Sequence, residues 1–237
     1  MKILLTGYSG FVGSLLLEEI NGNFDLKLLG RRFPSSECEF LQAPIDGKSD
    51  YSSIISGTDV VIHAAARAHI MNDTAFDSLE EFREVNVRGT LNLAKQVADA
   101  GVKRFIYISS IKVNGEKTSS NSPYTIADEH KPEDAYGLSK SEAEQQLVTL
   151  SKQTGMEYVF IRLPLIYGKG VKANFLALMN LIRKKLPLPL GAIKANRRSL
   201  VSVYNLVDLI KVCIEHPKAA NQTFLVSDDH DLSTTEM

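Results

Sequence analysis

The chain has 237 residues, 44% of them hydrophobic and 23% charged, with a formal net charge of −1. That length supports one large domain, or one domain with part of a second, around an ordinary globular core. Near-neutral charge excludes the basic field that draws nucleic acid or an anionic membrane, and no apolar run reaches the roughly 18 residues of a bilayer span.

Lys2–Thr6 reads as a short strand, and Phe11–Ile20 carries apolar residues at helical spacing. The apolar start is too short for a secretory core. Between strand and helix lies Thr6-Gly7-Tyr8-Ser9-Gly10-Phe11-Val12-Gly13, a G-x-x-G-x-x-G turn. Gly7 permits the tight turn, Gly10 lets backbone amides approach a pyrophosphate, and Gly13 lets the helix pack closely on the sheet. The free amides of a helix start carry about half a positive charge and suit an anion. Gly7, Ser9, Gly10, Phe11, Val12 and Gly13 are therefore candidate contacts for a dinucleotide.

Leu26–Leu29 is the second strand. In a dinucleotide fold this strand normally ends in an acid that bonds the adenosine ribose of NAD. Gly30 stands there instead, followed by Arg31 and Arg32. A 2′-phosphate needs a cation and tolerates no carboxylate, so Arg31 leans the choice between NAD and NADP toward NADP. Two solvated arginines beside NAD are the alternative. Asp46 is a candidate partner for the adenine amine, or else a solvated turn aspartate.

Asp59–His63 is the third clear strand, and a long helix follows from about 77 to 100, closed by Gly101. Arg104–Ser109 is a buried strand, 114–133 a polar loop, Ala135–Thr154 a helix with Gly155 behind it, and Tyr158–Arg162 a further strand. Alternating apolar strands and helices imply a parallel sheet covered on both faces. The right-handed crossover rule makes it doubly wound. Beyond 163 the pattern loosens into a helix over 175–185, a strand over 199–203, a helix over 206–215 and a strand over 223–226. Ser233 or Thr234 would cap a new helix with Glu236 in its first turn. The expectation is an α/β, Rossmann-type doubly wound parallel sheet over 1–163. A small, truncated C-terminal substrate lobe, 164–237, would be interleaved with the last strands.

Cys38 and Cys213 fit no paired-cysteine motif, and the glycosylation patterns at Asn72 and Asn221 lack a secretory signal. Both features predict a cytoplasmic protein. No second ligand is spaced to make His63 a metal site.

Tyr136 and Lys140, four residues apart near a helix start, fall on one face. A free phenol titrates near 10 and is a poor base at neutral pH. A nearby ammonium and a positive nicotinamide ring would favour the phenolate, and a shift of about 3 units needs about 4 kcal/mol. Ser110, at the end of the Arg104 strand, falls in the crevice where such sheets bind ligands. Ser110, Tyr136 and Lys140 are the candidate catalytic set for hydride chemistry at a carbinol.

These residues resemble the extended short-chain dehydrogenase/reductase family, in its nucleotide-sugar epimerase/dehydratase branch, and the resemblance runs along the whole chain. His63-Ala64-Ala65-Ala66 resembles the family's cofactor-lining strand end, and Asn86-Val87-Arg88-Gly89-Thr90 its mid-helix asparagine motif. Arg162-Leu163-Pro164-Leu165-Ile166-Tyr167-Gly168 is similar to the segment beneath the nicotinamide. Arg198-Ser199-Leu200-Val201-Ser202-Val203 is similar to the stretch whose arginine grips a nucleotide diphosphate, near which Asn174 also matches. The resemblance implies cofactor contacts at Ala64, Ala65, Ala66, Asn86, Ser109, Tyr136, Lys140 and Pro164. It implies substrate contacts at Ser110, Asn174 and Arg198. From the residues alone, Asn86 could instead bond neighbouring backbone, and Arg197 and Arg198 could be solvated.

Dehydratases of this branch carry an Asp-Glu pair where Ile111 and Lys112 stand, so 4,6-dehydration is rejected. Asn114 replaces a usual tyrosine, and Leu165 an asparagine of some epimerases. The implied function is a UDP-sugar C4 epimerase working through a 4-keto intermediate. The alternatives are an NADPH-dependent 4-ketoreductase, which Arg31 and Arg32 favour, and a non-catalytic dinucleotide sensor. The expected partner is a nucleotide-sugar substrate, with the long helices as candidate homodimer contacts.

Overall fold

Along β1 (Lys2–Thr6) every residue after Lys2 is buried, with Ile3 and Leu5 in the core on one side of the sheet and Leu4 in the core on the other. A strand that is apolar on both faces needs cover on both, and that requirement sets the architecture. The computed structural model describes residues 1–34, 37–68, 78–119, 122–171, 179–181, 183–184 and 193–237.

β1 is followed by α1 (Phe11–Ile20), β2 (Asp25–Gly30), β3 (Glu39–Gln42), α2 (Ser52–Ile55) and β4 (Val60–His63). Next come α3 (Ser78–Arg83), a π-helical turn (Glu84–Gly89), α4 (Thr90–Asp99), β5 (Arg104–Ser110) and α5 (Ala135–Thr154). The chain continues through β6 (Glu157–Leu163), β7 (Leu165–Tyr167), β8 (Leu200–Ser202), α6 (Val203–Glu215) and β9 (Gln222–Leu225). Seven strands form one parallel sheet in the order β3-β2-β1-β4-β5-β6-β9. The strand order reverses between β1 and β4. Ligands of open α/β sheets bind outside the carboxyl ends of the strands at such a switch point.

Leu16 and Ile20 of α1 and Leu206 and Ile210 of α6 pack with Leu5, Ile62 and Ile106 on one face. Leu93 and Val97 of α4 and Ala143 and Leu147 of α5 pack with Leu4, Val61 and Phe105 on the other. Burying each such side chain contributes about 1.5–3 kcal/mol. Beyond 163 the chain rejoins this body. β7 and β8 pair as a separate two-stranded sheet, α6 packs on α1, and β9 extends the main sheet beside β6.

The structure differs from the sequence reading in several places. β3, α2 and β7 were not expected: three or four residues each, they offer too few periods to read. The helix expected over 77–100 carries a π turn at Glu84–Gly89, with Asn86 inside it. Val203 begins α6 rather than ending β8, because Ser202 caps the helix from Oγ to the Tyr204 amide. At the C-terminus, Ser233 and Glu236 form the reciprocal bonds of a capping box around a single turn. Most of the helix expected over 175–185 lies outside the described residues, as do Asn72 and Asn174. Among the described residues no helix is long and apolar enough to cross a membrane.

Candidate active site

At the carboxyl end of β1 the backbone turns through Gly7 at φ +73°, a left-handed conformation that disfavours a side chain. A Cβ there would come within 2.5 Å of the Ala64 carbonyl carbon and the Ala65 amide nitrogen, so β1 and β4 end in direct backbone contact. A Cβ on Gly13 would overlap the Gly7 carbonyl, which is how α1 packs so tightly behind the turn. α1 has Gly10 as its N-cap with no side-chain cap, leaving the amides of Phe11, Val12 and Gly13 without intrahelical partners. Ser9 and Gly10 are exposed, and Phe11 and Val12 half-buried. The turn is a backbone cradle that fits a diphosphate.

Thr6 and His63 fix the two strand ends that flank it. The Thr6 hydroxyl lies 2.7 Å from Nδ1 of His63 and accepts from the Ala65 amide at 3.2 Å. Nε2 of His63 lies 3.0 Å from Oγ1 of Thr90. Burial first, and then the Lys140 charge, push the His63 pKa down to about 3, so the ring is neutral. His63 is a brace inside the fold. Asn86 is another: its Oδ1 accepts from the Arg67 amide at 2.9 Å, and its Nδ2 donates to the Arg67 carbonyl and to Oγ of Ser139, both at 3.0 Å. Its amide is spent on the protein, so Asn86 positions the Ala64–Ala66 segment rather than offering a group to the cleft.

Asp46 forms a turn of its own, accepting from the amides of Lys48 and Ser49, chiefly the former, which lowers its pKa. Gly89 allows that turn to sit against the π segment: a Cβ there would fall 2.8 Å from the Asp46 amide nitrogen. Arg31 and Arg32 are exposed, and neither forms an ion pair among the described residues.

Ser110 ends β5 with its Oγ accepting from the Lys112 amide at 3.2 Å. Its side chain lies close enough to the Tyr136 phenol to pull that group's pKa down against the effect of burial. Tyr136 stands in the first turn of α5, whose N-cap, Asp134, accepts from the Gly137 amide at 2.6 Å. Gly137 lets this turn press on the end of β5, since a Cβ there would lie 2.8 Å from the Lys112 carbonyl. One turn further, Lys140 is buried, its Nζ donating to the Ile108 carbonyl at 2.8 Å. The same ammonium lies 4.3 Å from the Tyr107 ring centre and 5.9 Å from that of Tyr136.

The sequence reading has Lys140 and a positive nicotinamide ring together acidify the phenol; in the chain by itself, burial, followed by the Asp134 charge, raises Tyr136 to about 12. Burial lowers Lys140 to about 7 against the opposing pull of Glu144. The Lys140 ammonium spends its charge on a carbonyl and a ring, and desolvation of the buried lysine and the half-buried phenol outweighs their mutual attraction. Without further positive charge in the cleft, the proton stays on the phenol.

Ser109 points away from that cleft, donating to Oε1 of Glu144 at 2.5 Å. Glu144 holds Arg162 through Nε–Oε1 (3.1 Å) and Nη2–Oε2 (2.7 Å), with both side chains almost fully buried. Arg162 also donates to Oδ1 of Asn114 at 2.8 Å and lies 2.6 Å from Nε2 of His130. Lys112 bonds Glu116 and Asp134, each at 2.6 Å. The sequence reading missed Glu144, Asp134 and His130 as site-building residues. Glu144 was findable, because Tyr136, Lys140 and Glu144 repeat at i, i+4 and i+8 on one helix face.

Pro164 sits half-buried between β6 and β7. The loop after β7 returns toward the glycine turn, where a Cβ on Gly170 would lie 3.9 Å from the Phe11 ring. Asp228 ties this part together, bonding the Tyr167 hydroxyl, the Ser202 amide and the Asn205 side chain. The Arg198 side chain is exposed and its backbone bridges Leu232. Asn174, expected near it, lies outside the described residues.

Residues 3–227 match the profile of the NAD dependent epimerase/dehydratase family. A UDP-glucose 4-epimerase from Vibrio cholerae is 54% identical over 240 residues, covering 100% of this chain and 73% of that protein. The structure superposes on UDP-glucuronic acid 4-epimerase from Bacillus cereus, in complex with NAD, at a TM-score of 0.86 and 20% identity, over 100% of this chain and 81% of that one. The UDP-glucose 4-epimerase of Thermotoga maritima, with UDP-glucose, gives 0.82 at 19% identity, over 100% and 80%. The glycine cradle at the switch point and the profile match along nearly the whole chain lead to one assignment: the chain belongs to the NAD dependent epimerase/dehydratase family.

Proposed function

We propose that this chain is a nucleotide-sugar C4 epimerase that holds a nicotinamide dinucleotide along the carboxyl ends of β1, β2, β4 and β5. The observation that carries the reading is the placement of the Ser110 side chain beside Tyr136 at the end of β5, with Lys140 buried one helical turn behind it. The 54% identity to a UDP-glucose 4-epimerase supports a UDP-hexose as substrate.

The amides of Phe11, Val12 and Gly13 would take the diphosphate, and Ala64–Ala66, Asp46 and Pro164 would border the rest of the dinucleotide. A nicotinamide bound there would supply the hydride acceptor for oxidation at the sugar C4 and the donor for re-reduction from the other face. Tyr136 takes the C4 hydroxyl proton and gives it back, while Ser110 orients that hydroxyl. Lys140 holds positive charge below the phenol, and its bond to the Ile108 carbonyl fixes its height relative to Ser110. Ser109, Glu144 and Arg162 form the rigid floor. Asn174 and Arg198 are the proposed contacts to the nucleotide diphosphate.

One observation favours a second reading. Gly30 offers no carboxylate to a ribose, and Arg31 and Arg32, exposed beside it, form no ion pair among the described residues, which suits NADP and a 4-ketoreductase that releases its oxidised cofactor. Mass spectrometry of the small molecules released from denatured, purified protein decides between them. A tightly retained dinucleotide, NAD or NADP, supports the epimerase. Net consumption of NADPH with a 4-keto nucleotide sugar supports the reductase, and no bound or consumed dinucleotide contradicts both.

A further inference from the structure

Gly30 ends β2 beneath the ring of Tyr8. A Cβ on Gly30 would lie 2.9 Å from Cε1 of Tyr8 and 3.4 Å from its hydroxyl oxygen, closer than side-chain carbons tolerate. Tyr8 is 5% exposed and rests edge-on against Phe40 of β3, with ring centres 6.2 Å apart, so it has no easy way to swing aside. Its hydroxyl donates to the Arg32 carbonyl, while Gln42 of β3 donates to the Arg31 carbonyl at 3.1 Å. Two anchors thus hold the backbone from which Arg31 and Arg32 project into solvent.

We infer that Tyr8 is a cofactor-specificity residue: its ring fills the volume where a ribose-binding carboxylate would stand, and its hydroxyl sets the backbone that presents Arg31 and Arg32 to a 2′-phosphate. The inference rests on the dinucleotide reading above and deepens it by naming the residue that decides between NAD and NADP. A hollow of about 450 Å³, walled by Tyr8, Ser9, Ser14 and Phe33, opens beside the turn, next to the segment that carries Arg31 and Arg32 but not lined by them. Glu18 also borders that hollow, and its carboxylate weakens the site by an amount that Glu18→Gln measures. The choice is encoded by two positions acting together. An aspartate at 30 cannot be accommodated while the ring at 8 remains, and a small residue at 8 alone supplies no acceptor for a ribose hydroxyl.

The test uses the intact chain and four probes: adenosine 2′,5′-bisphosphate, ADP, NADPH and NADH, with dissociation constants measured by calorimetry. Wild type is expected to bind the bisphosphate and NADPH at least tenfold tighter than ADP and NADH. Arg31→Ala with Arg32→Ala, both at exposed positions, should erase that preference while leaving the melting temperature unchanged. Gly30→Asp alone should weaken all four probes, whereas Tyr8→Gly with Gly30→Asp should favour NADH. Tyr8→Phe keeps the ring and should keep most of the preference. Equal affinity of wild type for NADPH and NADH overturns the inference while leaving the dinucleotide reading intact. So does a switch to NADH by Gly30→Asp with Tyr8 in place. Binding of neither dinucleotide overturns both.

Discussion

The Ser109 hydroxyl donates to Oε1 of Glu144 at 2.5 Å, so the two adjacent serines that end β5 face opposite ways. Strand alternation sends Ser109 into the layer beneath α5 and leaves Ser110 at the cleft beside Tyr136. Glu144 then joins that serine to Arg162, and α5 to β5 and β6 at one point.

Removing half of that buried pair is costly. Glu144→Gln leaves the Arg162 guanidinium buried without its counter-charge, and a loss of about 3–5 kcal/mol of stability is expected. Urea unfolding of wild type and variant measures it. A loss under about 1 kcal/mol would show that Asn114 and His130 hold Arg162 without the carboxylate.

Asn86→Ala removes three hydrogen bonds from a buried position. Leaving the Arg67 backbone groups unpartnered should cost about 1–3 kcal/mol. Because that backbone follows the Ala64–Ala66 segment, the dinucleotide should also bind more weakly. Denaturation and dinucleotide titration check the two effects separately, and a variant with weaker binding but full stability would place Asn86 in the cleft.

Much of this was legible beforehand. β1, α1 and α5 have the predicted limits, because a glycine turn, a 3.6-residue period and a helix-ending Gly155 at φ +77° each mark a boundary locally. The cradle was legible for the same reason: Gly7, Gly10 and Gly13 act through backbone geometry. The protonation states were not, since they depend on burial and on which carbonyl a lysine meets. Nor was the destination of Ser109 or Asn86, whose hydrogen bonds reach partners 35 and 53 residues away in Glu144 and Ser139. The Tyr8–Gly30 contact joins two strand ends and carries no periodicity.

Asp134→Asn separates capping from charge. Asparagine can still accept from the Gly137 amide, so α5 should lose no more than about 1 kcal/mol. The substitution removes a negative charge that, after burial, keeps the phenol of Tyr136 protonated. Its pKa should fall, and the limb of the pH–rate profile that needs phenolate should move to lower pH. An unmoved limb in a folded variant would detach Asp134 from the chemistry.

His63 makes the fold acid-sensitive. Unfolded chains protonate histidine near pH 6.5, while burial holds His63 neutral down to about pH 3. Its folded pKa is depressed, so the unfolded state binds the extra proton and stability declines as pH falls from about 6.5 toward 3. The slope attributable to this residue approaches about 1.4 kcal/mol per pH unit. Urea midpoints at pH 7 and pH 5 for wild type and His63→Asn measure it. The variant should show the shallower dependence, and equal slopes would place the acid sensitivity elsewhere.

The role of the Tyr136 hydroxyl is tested most directly by mixing the purified chain with oxidised dinucleotide and UDP-glucose while following the fluorescence of the reduced nicotinamide. Wild type should generate that signal transiently, within the first turnover, before the hydride returns to the sugar. Tyr136→Phe, with unchanged dinucleotide affinity, should generate it at least about 100-fold more slowly. A phenylalanine variant that matches the wild-type rate would contradict the account.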